Sequence, residues 1–177
     1  VHLAGGTLRI VPLKGSNFHF DFDALADAIT TETRLLITNI PNNPTGATWT
    51  LEELDQLAAV VRETDTLIWS DEVYGPMVYD GKSALSILHS PALRERSLVT
   101  ASFGKILHAT GWKIGYIIAP ENWTHEIRKV HQYDVFSTGA PFQEGIARFL
   151  SSASGQEHLS ELAPFYQEKR DRLLSGL

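Results

Sequence analysis

The stretch Thr66-Leu-Ile-Trp-Ser-Asp-Glu-Val-Tyr74 joins an apolar run, Thr66 to Ser70, to a polar group that begins at Asp71. The apolar run predicts a buried β-strand. Similar runs occur at Thr7 to Leu13, Arg34 to Ile40, Ser97 to Ser102 and Gly115 to Ala119. Segments with helical spacing separate several of them, notably Phe22 to Thr30 and Thr50 to Thr64. This alternation predicts an α/β fold with a mainly parallel sheet.

Signals for helix boundaries are uneven along the chain. Thr50 and Glu53 have capping-box spacing, which predicts a helix start at Thr50. After Pro120 only helices are expected, at Trp123 to Val135, Pro141 to Ser152 and Gln156 to the end, with the Ser/Gly cluster Ser151 to Gly155 as a linker. The last helix is charged and amphipathic and carries no end signal, so we expect it to be cut within the element. The first residue is Val1 and not Met, which favours an incomplete piece.

Composition excludes several classes of protein. The 177 residues are 43% hydrophobic and 20% charged, which fits one globular domain and excludes disorder and collagen. The formal charge of −6 predicts no basic face for nucleic acid or anionic lipid. No apolar run approaches the roughly 20 residues that cross a bilayer, so no membrane partner is expected. The absence of cysteine excludes disulfides and thiolate catalysis and is compatible with the cytoplasm, where we expect the protein.

Polar groups follow three of the predicted strands. They are Asn39 to Gly46, Ser70 to Tyr74, and Ser102 to Lys105, spaced by about one βαβ unit of ~30 residues. We therefore expect them at one edge of the sheet, outside the carboxyl ends of the strands, where open α/β sheets bind ligands. An amine near a carboxylate, without a Ser-His-Asp arrangement or metal-ligand spacing, favours Schiff-base chemistry over hydrolysis.

These motifs carry a family resemblance. The chain reads Asn39-x-Pro-x-Asn-Pro-Thr-Gly46, Asp71-Glu-Val-Tyr74 and Ser102-Phe-Gly-Lys105, followed by Thr110-Gly-Trp-Lys-Ile-Gly-Tyr116. In this order and spacing they resemble the large domain of the class I/II aminotransferases, fold type I enzymes that use pyridoxal phosphate. The stretch Ser102 to Lys113, with His131-Gln-Tyr133 downstream, is similar to the methionine aminotransferase and kynurenine transaminase branch. The resemblance implies a three-layer, mainly parallel sheet, here incomplete, and a homodimer with its site at the subunit interface.

The resemblance also implies roles for individual residues. Lys105 would form the internal aldimine and then move the proton between Cα and C4′ of the substrate adduct. Asp71 would pair with the pyridine nitrogen and keep it protonated, although a helix cap is the simpler interpretation. Asn43 and Tyr74 would hydrogen-bond the phenolic oxygen of the cofactor, with a turn position and core packing as the simpler interpretations.

The phosphate group is expected at Ser102 and Lys113. Ser102 could instead be a plain strand-end hydroxyl, and Lys113 a solvated charge. Many relatives carry arginine in place of Lys113, which predicts somewhat weaker phosphate binding. Gly104 and Gly111 would permit close approach or tight turns. His108 is either near the site or merely packed or exposed, and Trp69 and Trp112 are expected in the core.

The resulting interpretation is a fragment of an aminotransferase that transfers an amino group from a methionine, aromatic or kynurenine-type donor to a 2-oxo acid. Residues 1–152 would belong to the cofactor-binding large domain and residues 153–177 would start the helix toward a missing small domain. A carbon–sulfur β-lyase remains open, because the same cofactor contacts support several fates of the carbanion. A ligand-sensing aminotransferase-like domain of a transcription regulator remains open as well. The isolated piece is expected to be inactive, because the stacking aromatic and the carboxylate-binding arginine lie outside it.

Overall fold

A computed structural model describes residues 1–177. The strands are β1 (Leu35–Asn39), β2 (Leu67–Asp71), β3 (Ser97–Ser102) and β4 (Gly115–Ile118). The helices are α1 (Phe22–Ala28), α2 (Leu51–Val61), α3 (Pro91–Arg94), α4 (Phe103–Ile106), α5 (Glu121–Asp134), α6 (Ala140–Leu150) and α7 (Ala153–Ser175). Three 3-10 turns cover His2–Ala4, Ile87–His89 and Thr110–Trp112. No helix is both long enough and apolar enough to cross a membrane.

The sheet has the order β1-β2-β3-β4. The pairs β1–β2 and β2–β3 are parallel, as the alternation of strands and helices predicts. The β3–β4 pair is antiparallel, with Ser102 opposite Gly115. Between these two strands the chain forms only a four-residue helix and a three-residue turn. These pieces are shorter than the crossover helix that usually joins parallel neighbours, so the chain reverses at the sheet edge.

The core lies between the inner face of the sheet and α1 and α2. Leu54, Leu57 and Val61 of α2 are buried together with Ile68 of β2 and Val99 of β3. The predicted capping box begins this helix: Glu53 N–H donates to Thr50 Oγ1 at 3.1 Å, and Thr50 N–H donates to Glu53 Oε2 at 2.9 Å. Both predictions, the helix and its first turn, are therefore confirmed.

The outer face of the sheet is exposed, which corrects the expectation that every strand is buried. Five of its apolar side chains are 37–48% accessible: Leu35, Ile37, Leu67, Trp69 and Ile117. Alternate residues of a strand point to opposite faces, and only the inner face has helices packed on it. The expectation that Trp69 and Trp112 lie in the core is wrong as well: Trp112 is 42% accessible, and the Trp69 indole donates to Thr100 Oγ1 at 2.9 Å on the outer face.

The structure also differs from two expectations for segments near the ends of the chain. Thr7 to Leu13 forms no strand: no segment of the chain pairs with it, and the nearest bridge joins Lys14 to His19 beyond its end. Ser152 caps α7 by accepting from Gly155 N–H at 3.1 Å, so most of the predicted linker is helical.

Candidate active site

The carboxylate of Asp71 is held in a fixed orientation at the carboxyl edge of β2. Asn39 lies opposite it in the β1–β2 register, and its Nδ2 donates to Asp71 Oδ2 at 3.0 Å. The backbone N–H of Val73 donates to the other oxygen, Oδ1, at 3.3 Å. Asp71 is half-buried and shares the outer face of the sheet with Trp69. Both oxygens are therefore oriented by a separate donor.

Asn39 is a site residue to which the sequence analysis assigned no role. Its Oδ1 accepts from Asn42 Nδ2 at 3.1 Å and from the backbone N–H of Asn43 at 3.4 Å, while its Nδ2 holds Asp71. This one amide ties the loop after β1 to the carboxylate at the end of β2. The available signal was its position, since it ends one strand and pairs with the residue that ends the next.

Asn43 and Tyr74 come together, although they belong to different loops. Asn43 Nδ2 donates to the Tyr74 hydroxyl oxygen at 3.2 Å. Because Tyr74 accepts in this bond, its own O–H proton stays available, and Asn43 keeps a second N–H. The pair can therefore direct two donors at one oxygen of a bound molecule.

Lys105 lies on α4, a single helical turn directly after β3. Ser102 caps this turn by accepting from Gly104 N–H at 3.1 Å, and Thr110 Oγ1 donates to Gly104 O at 2.9 Å. Gly104 is buried, and a Cβ there would lie 3.0 Å from Thr110 Cα, so a close approach does require glycine. A Cβ at Gly111 meets nothing within 4 Å, so crowding does not explain that glycine. The Lys105 side chain is exposed and makes no salt bridge.

The antiparallel course of β4 brings Lys113 to the same edge of the sheet. Lys113 stands two residues before Gly115, which pairs with Ser102. Its backbone is left-handed, with φ 56°, and its side chain is exposed. The hydroxyl proton of Ser102 points to Ile114 O over 3.4 Å, a long contact that rotation about the Cβ–Oγ bond can release. A residue with a hydroxyl donor and a residue with a cationic side chain therefore lie at the same edge of the sheet.

His108 contacts α7. It has a left-handed backbone, with φ 53°, and its Nε2 lies 3.0 Å from the hydroxyl of Tyr166. The ring is exposed but packs edge-on against His158, with 5.4 Å between ring centroids. Of the alternatives for this histidine, the structure shows a packed imidazole at the foot of the Lys105 turn.

The donor set defines what this edge can bind. A free amine, a doubly oriented carboxylate, an amide–phenol pair, and a hydroxyl beside a cation converge on one rim of the sheet. An amine of this kind attacks aldehydes and ketones, and a carboxylate can hold a protonated ring nitrogen. The other groups suit anionic oxygens, so this edge can bind a small molecule that carries a carbonyl group, a basic nitrogen and anionic groups.

Known proteins share both the sequence and the fold. A family model described as aminotransferase class I and II matches residues 1–177. Methionine aminotransferase of Escherichia coli (strain K12) is 37% identical over 177 residues, covering 100% of this chain and 45% of that relative. Kynurenine–oxoglutarate transaminase of Dictyostelium discoideum is 36% identical over 192 residues, covering 99% of this chain and 44% of that relative.

Solved structures agree. An Escherichia coli protein with a methionine aminotransferase function superposes with a TM-score of 0.93 at 38% identity, covering 98% of this chain and 45% of its own. N-Succinyldiaminopimelate aminotransferase from Mycobacterium tuberculosis superposes with a TM-score of 0.91 at 35% identity, covering 99% of this chain and 46% of its own. The chain thus spans less than half the length of these relatives. Because the family model matches from the first residue to the last, the chain belongs to the class I and II aminotransferases.

Proposed function

We propose that the protein carrying this chain is a pyridoxal-phosphate-dependent aminotransferase that moves an amino group from an amino acid to a 2-oxo acid. The donor we propose is methionine or an aromatic or kynurenine-type amino acid, in line with the names of two relatives and of a solved aromatic aminotransferase. The observation that carries the proposal is the network in which Asn39 orients Asp71 and the Asn43 loop, at the sheet edge where the turn that bears Lys105 follows β3. We also propose that the complete protein is a homodimer, that residues 1–152 belong to its cofactor-binding large domain, and that residues 153–177 start the helix that leads to a small domain.

The residues at the sheet edge fit the cofactor group by group. Bound pyridoxal phosphate supplies an aldehyde that an amine can capture and a ring that takes up negative charge. Lys105 contributes the amine and afterwards carries a proton to and from the substrate Cα. Asp71, fixed by two N–H donors, accepts from the pyridine nitrogen and favours its protonated form.

The remaining contacts orient the ring. Asn43 and Tyr74 each donate to the phenolic oxygen, since the bond between them leaves one donor free on each side chain. Ser102 donates to the phosphate and Lys113 supplies a positive charge there. Lysine is a point charge and cannot form the paired hydrogen bonds of arginine, so we expect salt to weaken this contact readily.

Borohydride trapping tests the role of Lys105 directly. The 177-residue chain is mixed with pyridoxal phosphate, reduced, digested and mapped by mass spectrometry. We expect the label on Lys105, its loss in Lys105→Ala, and its retention in Lys82→Ala, a control that removes another exposed lysine. Label spread evenly over the lysines, or absent from Lys105, contradicts the proposal.

Asp71 is tested in the protein that carries this chain, with methionine and an aromatic amino acid as donors. Asp71→Ala should lower turnover far more than cofactor occupancy, because the carboxylate acts on the ring electronics more than on binding. Equal losses would show that Asp71 only holds the loop. Formation of a 2-oxo acid that keeps the donor's side chain distinguishes amino transfer from the alternative, β-elimination to pyruvate and a thiol.

A further inference from the structure

One face of α7 is directed at the rest of the chain. It includes four residues spaced four apart, all half-buried or buried: His158, Leu162, Tyr166 and Arg170. Leu162 is 2% accessible and fills the centre of this stripe. Positions i, i+4 and i+8 share a helix face, so these side chains make one continuous contact surface. Three of them end in polar groups, and each polar group has a partner outside α7.

His158 holds the end of the Lys105 turn. Its Nε2 lies 2.7 Å from the carbonyl oxygen of Ile106, the residue after Lys105. A carbonyl only accepts, so the imidazole carries its proton on Nε2 and donates. A helix as short as α4 cannot persist through its own hydrogen bonds, and the carbonyls at its end have no partner within the helix. The His158 bond supplies that missing partner.

Tyr166 holds the same segment from a second point. Its hydroxyl lies 3.0 Å from Nε2 of His108, and His108 N–H donates to the carbonyl oxygen of Lys105 at 3.2 Å. His108 keeps a left-handed backbone, with φ 53°, that ordinary residues adopt at a cost. The contact from Tyr166 therefore fixes the strained residue that closes the turn.

Arg170 sets the position of α7 itself. Its guanidinium makes two hydrogen bonds to the Asp80 carboxylate, at 2.6 and 2.7 Å, and Asp80 N–H donates to Gln167 Oε1 at 2.9 Å. The guanidinium holds the pKa of Asp80 below its ordinary value. These hydrogen bonds fix α7 relative to the loop after β2. His158 and Tyr166 therefore contact the Lys105 turn from a fixed position.

We propose that His158 and Tyr166 are positioning residues for the Lys105 amine. They make the orientation of the long helix α7 a determinant of where that amine points, although neither side chain touches the reacting atoms. The inference rests on the proposed function in one respect, namely that Lys105 is the amine that reacts with an aldehyde. Any movement of α7 would then be transmitted to the reactive turn through two hydrogen bonds.

The test measures the rate at which pyridoxal phosphate labels Lys105 in the 177-residue chain under borohydride. His158→Leu removes the donor, His158→Gln keeps an N–H at a similar reach, and Tyr166→Phe removes one hydroxyl. We expect His158→Leu to slow the labelling of Lys105 about fivefold, the factor that one net hydrogen bond of typical strength gives. Tyr166→Phe should slow it less, and His158→Gln should restore most of the rate. The matched controls are His125→Leu and Tyr133→Phe, both at exposed positions of α5.

A second readout separates positioning from general loss of structure. Positioning changes the labelling of Lys105 relative to Lys82, whereas unfolding raises the labelling of both and lowers the melting temperature. Hydrogen exchange at the amides of Leu107 and His108, which bond within the turn, should quicken in His158→Leu without any cofactor. Unchanged exchange together with an unchanged Lys105 to Lys82 ratio overturns the inference. If the unsubstituted chain takes no label on Lys105, the proposed function fails on its own, and unchanged exchange at the turn still overturns this inference.

Discussion

Replacing Asn39 by alanine should remove the link between the Asp71 carboxylate and the loop after β1 that carries Asn43. The substitution removes the donor at 3.0 Å from Asp71 Oδ2 and the acceptor that holds Asn42 and the Asn43 backbone. It leaves Asp71 with one donor, the Val73 N–H. The change is small in volume and lies at a strand end, so the sheet itself should survive.

The magnitude follows from the partners that are lost. A hydrogen bond to a charged group contributes about 1.5 to 3 kcal/mol, and Asp71 is only half-buried and keeps one donor, so the lower end applies. The neutral contacts to the Asn42–Asn43 loop add about 0.5 to 1 kcal/mol. We expect Asn39→Ala to lower the free energy of unfolding by about 2 kcal/mol and to weaken pyridoxal phosphate binding about tenfold.

Urea unfolding of the 177-residue chain and a fluorescence titration with pyridoxal phosphate measure the two effects. Asn122→Ala is the matched control, because Asn122 is exposed at the start of α5 and its loss should change stability by less than about 0.5 kcal/mol. Asn39→Asp serves as a second variant: it places a carboxylate against Asp71, and the like-charge repulsion should destabilise the chain at least as much as Asn39→Ala does. If Asn39→Ala behaves like Asn122→Ala in both assays, the amide does not organise the site and the reasoning is wrong.

Four further outcomes are expected. Thr50→Ala should cost about 1 kcal/mol in urea unfolding, because it removes the cap of α2. Gly155→Ala should lower the melting temperature, since a Cβ there would overlap the carbonyl oxygen of Phe149 and force α6 away from α7. The hydrogen bonds from Arg170 lower the pKa of Asp80 from its ordinary value of 3.8. The stability that this ion pair contributes is therefore complete above pH 3.8 and is lost as pH falls through the lower pKa of the folded state. Amide hydrogen exchange of α7 should be less protected at pH 3 than at pH 6, and equal protection would show that the ion pair contributes nothing. The exposed outer face of the sheet should make the 177-residue chain self-associate, and light scattering that reports a monomer at every concentration would contradict this.

Local chemistry made part of this fold predictable. The capping box at Thr50 and Glu53 is complete within four residues, so it needs no knowledge of the rest of the chain. The strands at β1, β2 and β3 carry enough apolar and branched residues to be recognised alone, and the polar residues that end them indicate the binding edge. The pairing of Asn43 with Tyr74 follows from the same rule, because both follow parallel neighbours.

The features that the sequence did not predict depend on contacts between segments that are far apart in the chain. Thr7 to Leu13 has the composition of a strand, but a strand also requires a neighbour, and composition does not say whether one is present. Trp69 occupies an apolar run, yet its face of the sheet has no helix on it, so burial was wrongly predicted. The link from Asn39 to Asp71 depends on register, which pairs the last residues of two strands that lie 32 positions apart in the chain.

The direction of β4 determines whether Lys113 can take part in the site at all. In a sheet of parallel strands only the residues after a strand reach the ligand edge, and Lys113 precedes β4. Because β4 runs antiparallel to β3, its first residues lie at the carboxyl edge, and Gly115 pairs with Ser102 there. A Cβ at Gly115 would lie 2.6 Å from the carbonyl oxygen of Ala101, so this pairing requires glycine at that position. Lys113 therefore reaches the edge of the sheet that carries Ser102 because one strand is reversed and because Gly115 lets that strand pack closely.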